Sequence, residues 1–292
     1  MSTPQAGPSV SIRRAKPEDA PVCGRICYEA FGAINTAHGF PLDLPDPGRA
    51  VGLLSRNFAH PGLYCVVAEQ DGRLVGSNCM DERSAIGGVG PITVDPTVQN
   101  AGAGRALMDA VLERARERGM AGVRLVQAAF HNRSLSLYTK LGFDPREPLA
   151  CMQGPPPGAS FEGCRVRSAR ESDLDACNRV CHEVHGHDRA DEVAEAIHEG
   201  SARVVERGGS VTGYTTALAF FGHTVAESNL DMQALIGAAE GFGGPGILIP
   251  TRNAALFRWC LESGLRVVQP MTLMSLGLYN EPKGAWLPSI LF

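Results

Sequence analysis

Slid along itself by 154 positions, the sequence meets a copy of its own beginning, and that duplication points to two versions of one fold. Ile12-Arg13-Arg14-Ala15-Lys16-Pro17-Glu18-Asp19 and Val166-Arg167-Ser168-Ala169-Arg170-Glu171-Ser172-Asp173 align without a gap. Identities continue at Cys23/Cys177, Arg25/Arg179, Cys27/Cys181, Glu29/Glu183 and Gly32/Gly186. Later landmarks recur as well: Val66-Val67 with Gly72 and Gly76 against Val204-Val205 with Gly209 and Gly213, and Tyr138 to Phe143 against Cys260 to Leu265. Between the copies lies Gly154-Pro155-Pro156-Pro157-Gly158, whose prolines donate no amide and cannot enter a helix interior or a central strand. The expected organisation is an amino-terminal domain over 1–153, a linker over 154–162 and a related domain over 163–292. With 292 residues and 44% hydrophobic content, each half can bury a core of its own.

The first copy carries the more telling local pattern. Ile92 and Val94 read as strand, Asp95-Pro96 ends it, and Gln99 to Gly104 opens a helix with Leu107, Met108, Val111 and Leu112 on its apolar side. The first amides of a helix lack intrahelical acceptors and lie at the positive dipole end, so a phosphate placed there gains charge-assisted hydrogen bonds. Glycines at 102 and 104 allow close backbone approach, and Gln99 adds a side-chain donor. A Walker loop would need G-x-x-x-x-G-K-[ST], and a dinucleotide fold G-x-G-x-x-G after its first strand; Arg105 follows the second glycine here, and the strand comes late in its domain.

Val94, Pro96, Gln99, Gly102 and Gly104 fill the V-x-P and Q-x-x-G-x-G slots of the acyl-CoA signature in the GNAT superfamily of N-acetyltransferases, which this stretch resembles. Downstream, Val123 to Val126 reads as a strand, and Asn132 to Phe143 resembles the family's helix that starts at an asparagine, carries a tyrosine and ends at G-F. One departure is that His131 occupies the usual asparagine slot and Asn132 comes one place late. A strand followed by an acid-capped helix, as at 12–19 and 166–173, is also how such domains begin. The resemblance covers residues 10 to 153 and implies an α/β fold, a central mixed sheet flanked by helices, in each of two tandem GNAT-like domains. The second copy has Glu227 to Ile236 where the glycine turn should be, and Cys260 where the first has Tyr138. Its Gly241, Gly243, Gly244 and Gly246 are interrupted by Pro245 and lead into the strand Ile247 to Ile249. The expectation is therefore one acetyl-CoA site, in the first copy, and a degenerate second copy that helps shape the acceptor site.

What the resemblance implies chemically is transfer of an acyl group from acetyl-CoA, as cosubstrate, to a primary amine. The diphosphate would sit on the amides of Gln99, Asn100, Ala101, Gly102, Ala103, Gly104 and Arg105. The pantetheine arm would lie beside Ile92, Thr93 and Val94, where the family carries a bulge whose amides face the cofactor, with His131 and Asn132 completing the site. Tyr138 matches the general acid that reprotonates the departing thiolate. For the base, Asp81, Glu82, Glu29 and His131 compete with a water chain to bulk. An acyl-CoA sensor without turnover is the alternative function, and a protein-interaction scaffold in the second copy a weaker one.

Lys plus Arg number 27 against 31 Asp plus Glu, a net charge of −4, without the basic stripe that nucleic acid or an anionic membrane selects. No apolar run reaches the roughly 18 residues of a membrane span, and Met1 to Ser11 lacks signal-peptide features, so a cytoplasmic protein is expected. Nine cysteines without framework spacing suit a reducing compartment; Cys23/Cys27 and Cys177/Cys181 read as a buried small-residue seam rather than redox pairs. His182, His185, His187 and His198, with Asp188 and Asp191, could hold zinc but read better as a helix end or acceptor-site lining, so no metal is expected. The acceptor would meet the segment Cys23 to Phe58, including Ala33 to Phe40 and the proline-rich Pro41 to Pro47. Its few charges favour a small amine over a basic protein tail. The sequence names neither that amine nor the oligomeric state.

Overall fold

A computed structural model describes residues 10–99 and 102–291. The first repeat runs β1 (Val10–Arg14), α1 (Ala20–Ala37), α2 (Pro47–Ala59), β2 (Leu63–Gln70), β3 (Arg73–Asp81), β4 (Ile86–Val89), β5 (Thr93–Val94), α3 (Ala103–Glu117), β6 (Gly122–Ala128), α4 (Asn132–Lys140) and β7 (Asp144–Gln153). The second runs β8 (Cys164–Ser168), α5 (Leu174–His185), α6 (Ala190–His198), β9 (Arg203–Arg207), β10 (Ser210–Thr215), β11 (Thr224–Ala226), α7 (Asn229–Gly237), β12 (Ile247–Pro250), α8 (Ala254–Glu262) and β13 (Arg266–Gly277), then adds β14 (Ala285–Leu287). The same order of strands and helices thus occurs twice, with β11 alone in the place of β4 and β5. The duplicated opening explains why. Arg13 donates to both oxygens of Asp19 (2.7 and 2.9 Å) and to Glu69 of β2 (2.8 Å), while Lys16 N–H caps onto Asp19 (2.8 Å). Arg167 repeats this with Asp173 (2.7 and 2.8 Å) and Glu206 of β9 (2.8 Å), and Arg170 N–H with Asp173 (2.8 Å). A bidentate guanidinium fixes strand, turn and helix start together, so the shared letters encode a shared corner.

The compact units do not follow the repeats. One comprises Met1–Glu82 and Gly87–Val123, the other Arg83–Ile86 and Arg124–Phe292. The expected boundary at 153 differs because β7, though it ends the first repeat, pairs with β13 from Arg266↔Gln153 to Ser275↔Asp144 and with β12 from Ile247↔Met152 to Pro250↔Leu149. Those ladders hold β7 among strands of the second repeat.

In the first unit β1, β2 and β3 form an antiparallel ladder, and the polypeptide from β4 to β5 runs back along β3. Cys23 and Cys27 of α1, Leu53 and Leu54 of α2 and Val67 of β2 make one core cluster. Burial pushes the thiols of Cys23 and Cys27 up to about 12, so they behave as small apolar groups. Helix α3 turns Leu107, Met108, Val111, Leu112 and Ala115 inward, as their spacing requires, each large side chain contributing about 1.5–3 kcal/mol of burial. Asn78, buried on β3, donates to the Leu107 carbonyl (3.3 Å) and fastens that helix.

Gly76 is where this layer is tightest: a Cβ there would lie 2.5 Å from the Thr93 carbonyl oxygen and 3.2 Å from Leu107. Gly76→Val is accordingly expected to lower stability by about 2–3 kcal/mol, read as a fall in the urea midpoint, because backbone rather than a flexible side chain must move.

The second unit contains β7, β12 and β13 together with an antiparallel sheet ordered β14, β11, β10, β9, β8. Helix α5 presents Cys177, Val180, Cys181 and Val184 to a core that includes Val204, Tyr214, Leu149, Leu273 and Trp286. Among the described residues no helix is long and apolar enough to cross a membrane.

Candidate active site

The strand before the glycine turn is bulged. Val89 pairs with Met80 and Thr93 with Ser77, so Gly90, Pro91 and Ile92 stand opposite only Asn78 and Cys79. One extra residue on one strand is a β-bulge, which re-aims the amides that follow. Gly90 N–H still reaches the Cys79 carbonyl (2.9 Å), and Asp95 N–H the Val75 carbonyl (2.8 Å). Strand alternation then turns the Val94 N–H away from β3, while Thr93 is buried against it.

The turn itself is set by Asp95, whose carboxylate accepts from the amide and hydroxyl of Thr97 (2.8 and 2.7 Å) and starts a short 3₁₀ turn over Pro96–Val98. Gln99 folds back to donate to the Val94 carbonyl (3.3 Å), so its side chain closes the turn instead of pointing outward as a donor. Asn100 and Ala101 lie outside the described residues. Gly102 is the N-cap of α3 in the left-handed region (φ +89°), with no atom of the described residues within 4 Å of the position a Cβ would take. Its carbonyl accepts the first helical bond, from Ala106 N–H (3.0 Å), leaving Ala103, Gly104 and Arg105 amides ahead of the ladder. No side chain among the described residues caps this end, and the first turn has no acidic residue. Arg105 is exposed and lies 3.5 Å from Asp109 on the same helix. Open space beside an uncapped, left-handed glycine fits a diphosphate.

Helix α7 occupies the corresponding place in the second repeat and is closed. Ser228 caps it by accepting from Asp231 N–H (3.3 Å). Asp231, fully buried, accepts from Ser228 (2.5 Å), Thr212 (2.7 Å) and both nitrogens of Arg207 (2.8 and 3.0 Å). Burial opposes the charge, yet the bonds from Arg207, Ser228 and Thr212 hold the Asp231 carboxyl below its ordinary value. A carboxylate built into the helix start fills the place an anion would take.

Asp231→Ala should lower stability by about 2 kcal/mol at neutral pH from the lost buried bonds to Arg207, Thr212 and Ser228. Because the folded pKa is depressed, that contribution is present above the unfolded carboxylate value and is lost as pH falls through the folded one. Wild type and variant should therefore converge in acid, which melting curves across pH would reveal.

Tyr138 belongs to the second unit. It sits on α4, with its ring 6.2 Å from Phe143, and is 6% exposed. Burial pushes its phenol up from the ordinary value, so it stays protonated through the neutral range. His131 precedes the helix as its N-cap residue, accepting from Leu135 N–H (3.2 Å) and from the Ser134 hydroxyl (2.9 Å) through its carbonyl, and Asn132 is exposed. The helix ends at the left-handed Gly142 (φ +96°), as its sequence requires.

Several other candidates resolve on geometry. Glu82 is held by Arg114 through two bonds of 2.8 Å, which keep its carboxyl low and unsuited to take a proton at neutral pH. Glu29 is exposed on α1. Ala33 to Ala37 continue α1, so the loop toward α2 begins only at His38; Asn35 donates to the Pro41 carbonyl (2.8 Å) and shapes it. His182 and His198 face solvent whereas His185 and His187 turn inward and stack (5.8 Å). Among the described residues no three His, Cys, Asp or Glu side chains gather to hold a metal. Sequence reasoning missed a buried polar chain in the second unit, Tyr214 hydroxyl to His223 (2.9 Å) to Glu192 (3.0 Å), which no local motif announces.

The mixed α/β fold, with mixed sheet flanked by helices, matches solved GNAT acetyltransferase structures. Residues 32–143 match the Acetyltransferase (GNAT) family. The chain is 37% identical over 101 residues to a mycothiol acetyltransferase of Thermomonospora curvata, covering 34% of this chain and 33% of that one. Matched stretches span a third or less of the length of such curated relatives. Over nearly its whole length the fold resembles a candidate acetyltransferase from Pyrococcus horikoshii (TM-score 0.73, 19% identity, 94% of each chain). It also resembles a tandem GNAT protein from the clavulanic acid biosynthesis pathway (TM-score 0.55, 15% identity, 92% of this chain and 98% of that one).

Proposed function

We propose that this protein is an acetyl-CoA-dependent N-acetyltransferase acting on the primary amine of a small molecule. The observation that carries the reading is the start of α3 behind Gly102, which no side chain of the described residues caps, set against the self-capped start of α7. In this reading the amides of Ala103, Gly104 and Arg105 hold the diphosphate, with Asn100 and Ala101 extending the cradle. The bulge at Gly90 to Ile92 lets the Ile92 and Val94 amides face the pantetheine arm and thioester. A neutral amine attacks the thioester carbonyl carbon, a backbone N–H stabilises the oxyanion, and collapse breaks the carbon–sulfur bond. The thiolate leaves with a proton from Tyr138, and the ammonium proton goes to water. In the same reading the two repeats are two GNAT-like domains, of which the first binds acetyl-CoA.

Calorimetry with acetyl-CoA followed by a thiol-release screen across amine classes tests this. Saturable binding and thiol release with one amine class is the expected result. Binding without release from any amine would make the protein an acyl-CoA sensor, and no binding would remove both readings.

A further inference from the structure

The first unit holds a cavity that acetyl transfer leaves unused. Strand alternation puts Ile12 and Arg14 of β1 and Tyr64 and Val66 of β2 on one side of the sheet, and the register sets Arg14 directly across from Val66. Helix α3 brings Ala110 and Arg114 to the same side, and these residues line a cavity of about 350 Å³. Glu113 and Glu117 of α3, both exposed, line it as well. Most of the charges here are already spent. Arg114 donates twice to Glu82 (2.8 Å each), Glu113 pairs with Arg116, and Glu117 lies 3.8 Å from Arg114. Arg14 differs. Its guanidinium stands 4.4 Å from the ring centre of Tyr64, and neither it nor the Tyr64 hydroxyl has a hydrogen bond or ion pair among the described residues.

The fold does not call for this guanidinium. The corner that both repeats share is built by Arg13 and Arg167, and Ser168 follows Arg167 where Arg14 follows Arg13. Stacking on the Tyr64 ring holds the Arg14 fork in place, so little rotamer freedom is lost when an acceptor fills it. Guanidinium and phenol both present donors to the cavity, which calls for an acceptor oxygen. Ile12, Val66 and Ala110 supply an apolar side, and the volume lies within the roughly 300–1,000 Å³ of small-ligand sites. Glu113 and Glu117 repel a doubly charged group more than a singly charged one, and a planar fork matches a carboxylate. Charge and shape therefore favour a monocarboxylate over a phosphate.

We propose that this cavity is a binding site for a small monocarboxylate with an apolar body, with Arg14 as its counter-ion and the Tyr64 hydroxyl as a second donor. Ala110 lies two turns of α3, about 10 Å, beyond Ala103, so the site stands apart from the acetyl-CoA reading and is tested without that cosubstrate. The whole protein is titrated with benzoate, with hexanoate, with the uncharged benzamide and with inorganic phosphate, by calorimetry and by ligand-observed NMR. Saturable binding of both carboxylates is expected, with benzamide about tenfold or more weaker. Arg14→Gln should weaken benzoate about tenfold or more, as follows from losing a bond to a charged group, and Tyr64→Phe should weaken it by a smaller factor. Arg14 is exposed, so unchanged melting of its variant would show that the loss is local. Phosphate bound in preference to the carboxylates would overturn the ligand class. No saturable binding of either carboxylate, or benzoate binding indifferent to Arg14→Gln, would overturn the site itself.

Discussion

Gly102→Glu is expected to abolish acetyl-CoA binding while leaving the fold in place. Two effects add. A side chain at φ +89° costs about 1–2 kcal/mol in the left-handed region. A carboxylate about 4 Å from a phosphate repels it by roughly 4 kcal/mol at an effective dielectric of 20. Charge therefore dominates, and affinity should fall at least about 100-fold. Gly102→Ala separates the terms, since it keeps the strain without the charge: it should lose stability as the glutamate variant does yet keep most of its acetyl-CoA affinity. No atom of the described residues lies within 4 Å of the new Cβ, so melting should fall in both variants only by what the left-handed strain costs, about 1–2 kcal/mol. Calorimetry is the readout, and tight binding by the glutamate variant would eliminate the helix start as the cradle.

Tyr138→Phe should lower kcat about 100-fold or more with acetyl-CoA affinity unchanged, because in the proposed mechanism the hydroxyl acts only on the departing thiolate. Phenylalanine keeps the ring against Phe143, so stability is a poor explanation for any loss. The pH profile supplies a second check. Burial raises the phenol above its ordinary value near 10, so the wild-type rate should show no basic limb from this group between pH 7 and 10. A variant with full turnover, or a wild-type rate that collapses near pH 9 through this hydroxyl, would leave Tyr138 as a core aromatic.

Much of this site is legible in local sequence because it is made of backbone. Gly102, Asp95-Pro96 and the apolar stripe of α3 each specify a conformation within a few residues, and Gly142 ends α4 for the same reason. The repeat is legible because Arg13 with Asp19, and Arg167 with Asp173, are pairs six residues apart. Gln99 was misleading because its amide can serve a ligand or the turn, and only the position of the Val94 carbonyl decides.

The chain by itself determined the duplicated order of elements, the glycine turn ahead of α3 and the tyrosine on α4, since propensity, capping and periodicity act over one or two turns. Tertiary structure alone decided that β7 pairs with strands of the other repeat and that Asp231 seals α7. It alone decided that the Arg124 guanidinium lies 5.1 Å from the Tyr279 ring centre and that His185 meets the edge of Trp286. Strand pairing and burial join residues more than a hundred positions apart, and no local rule of backbone or side chain reports on them.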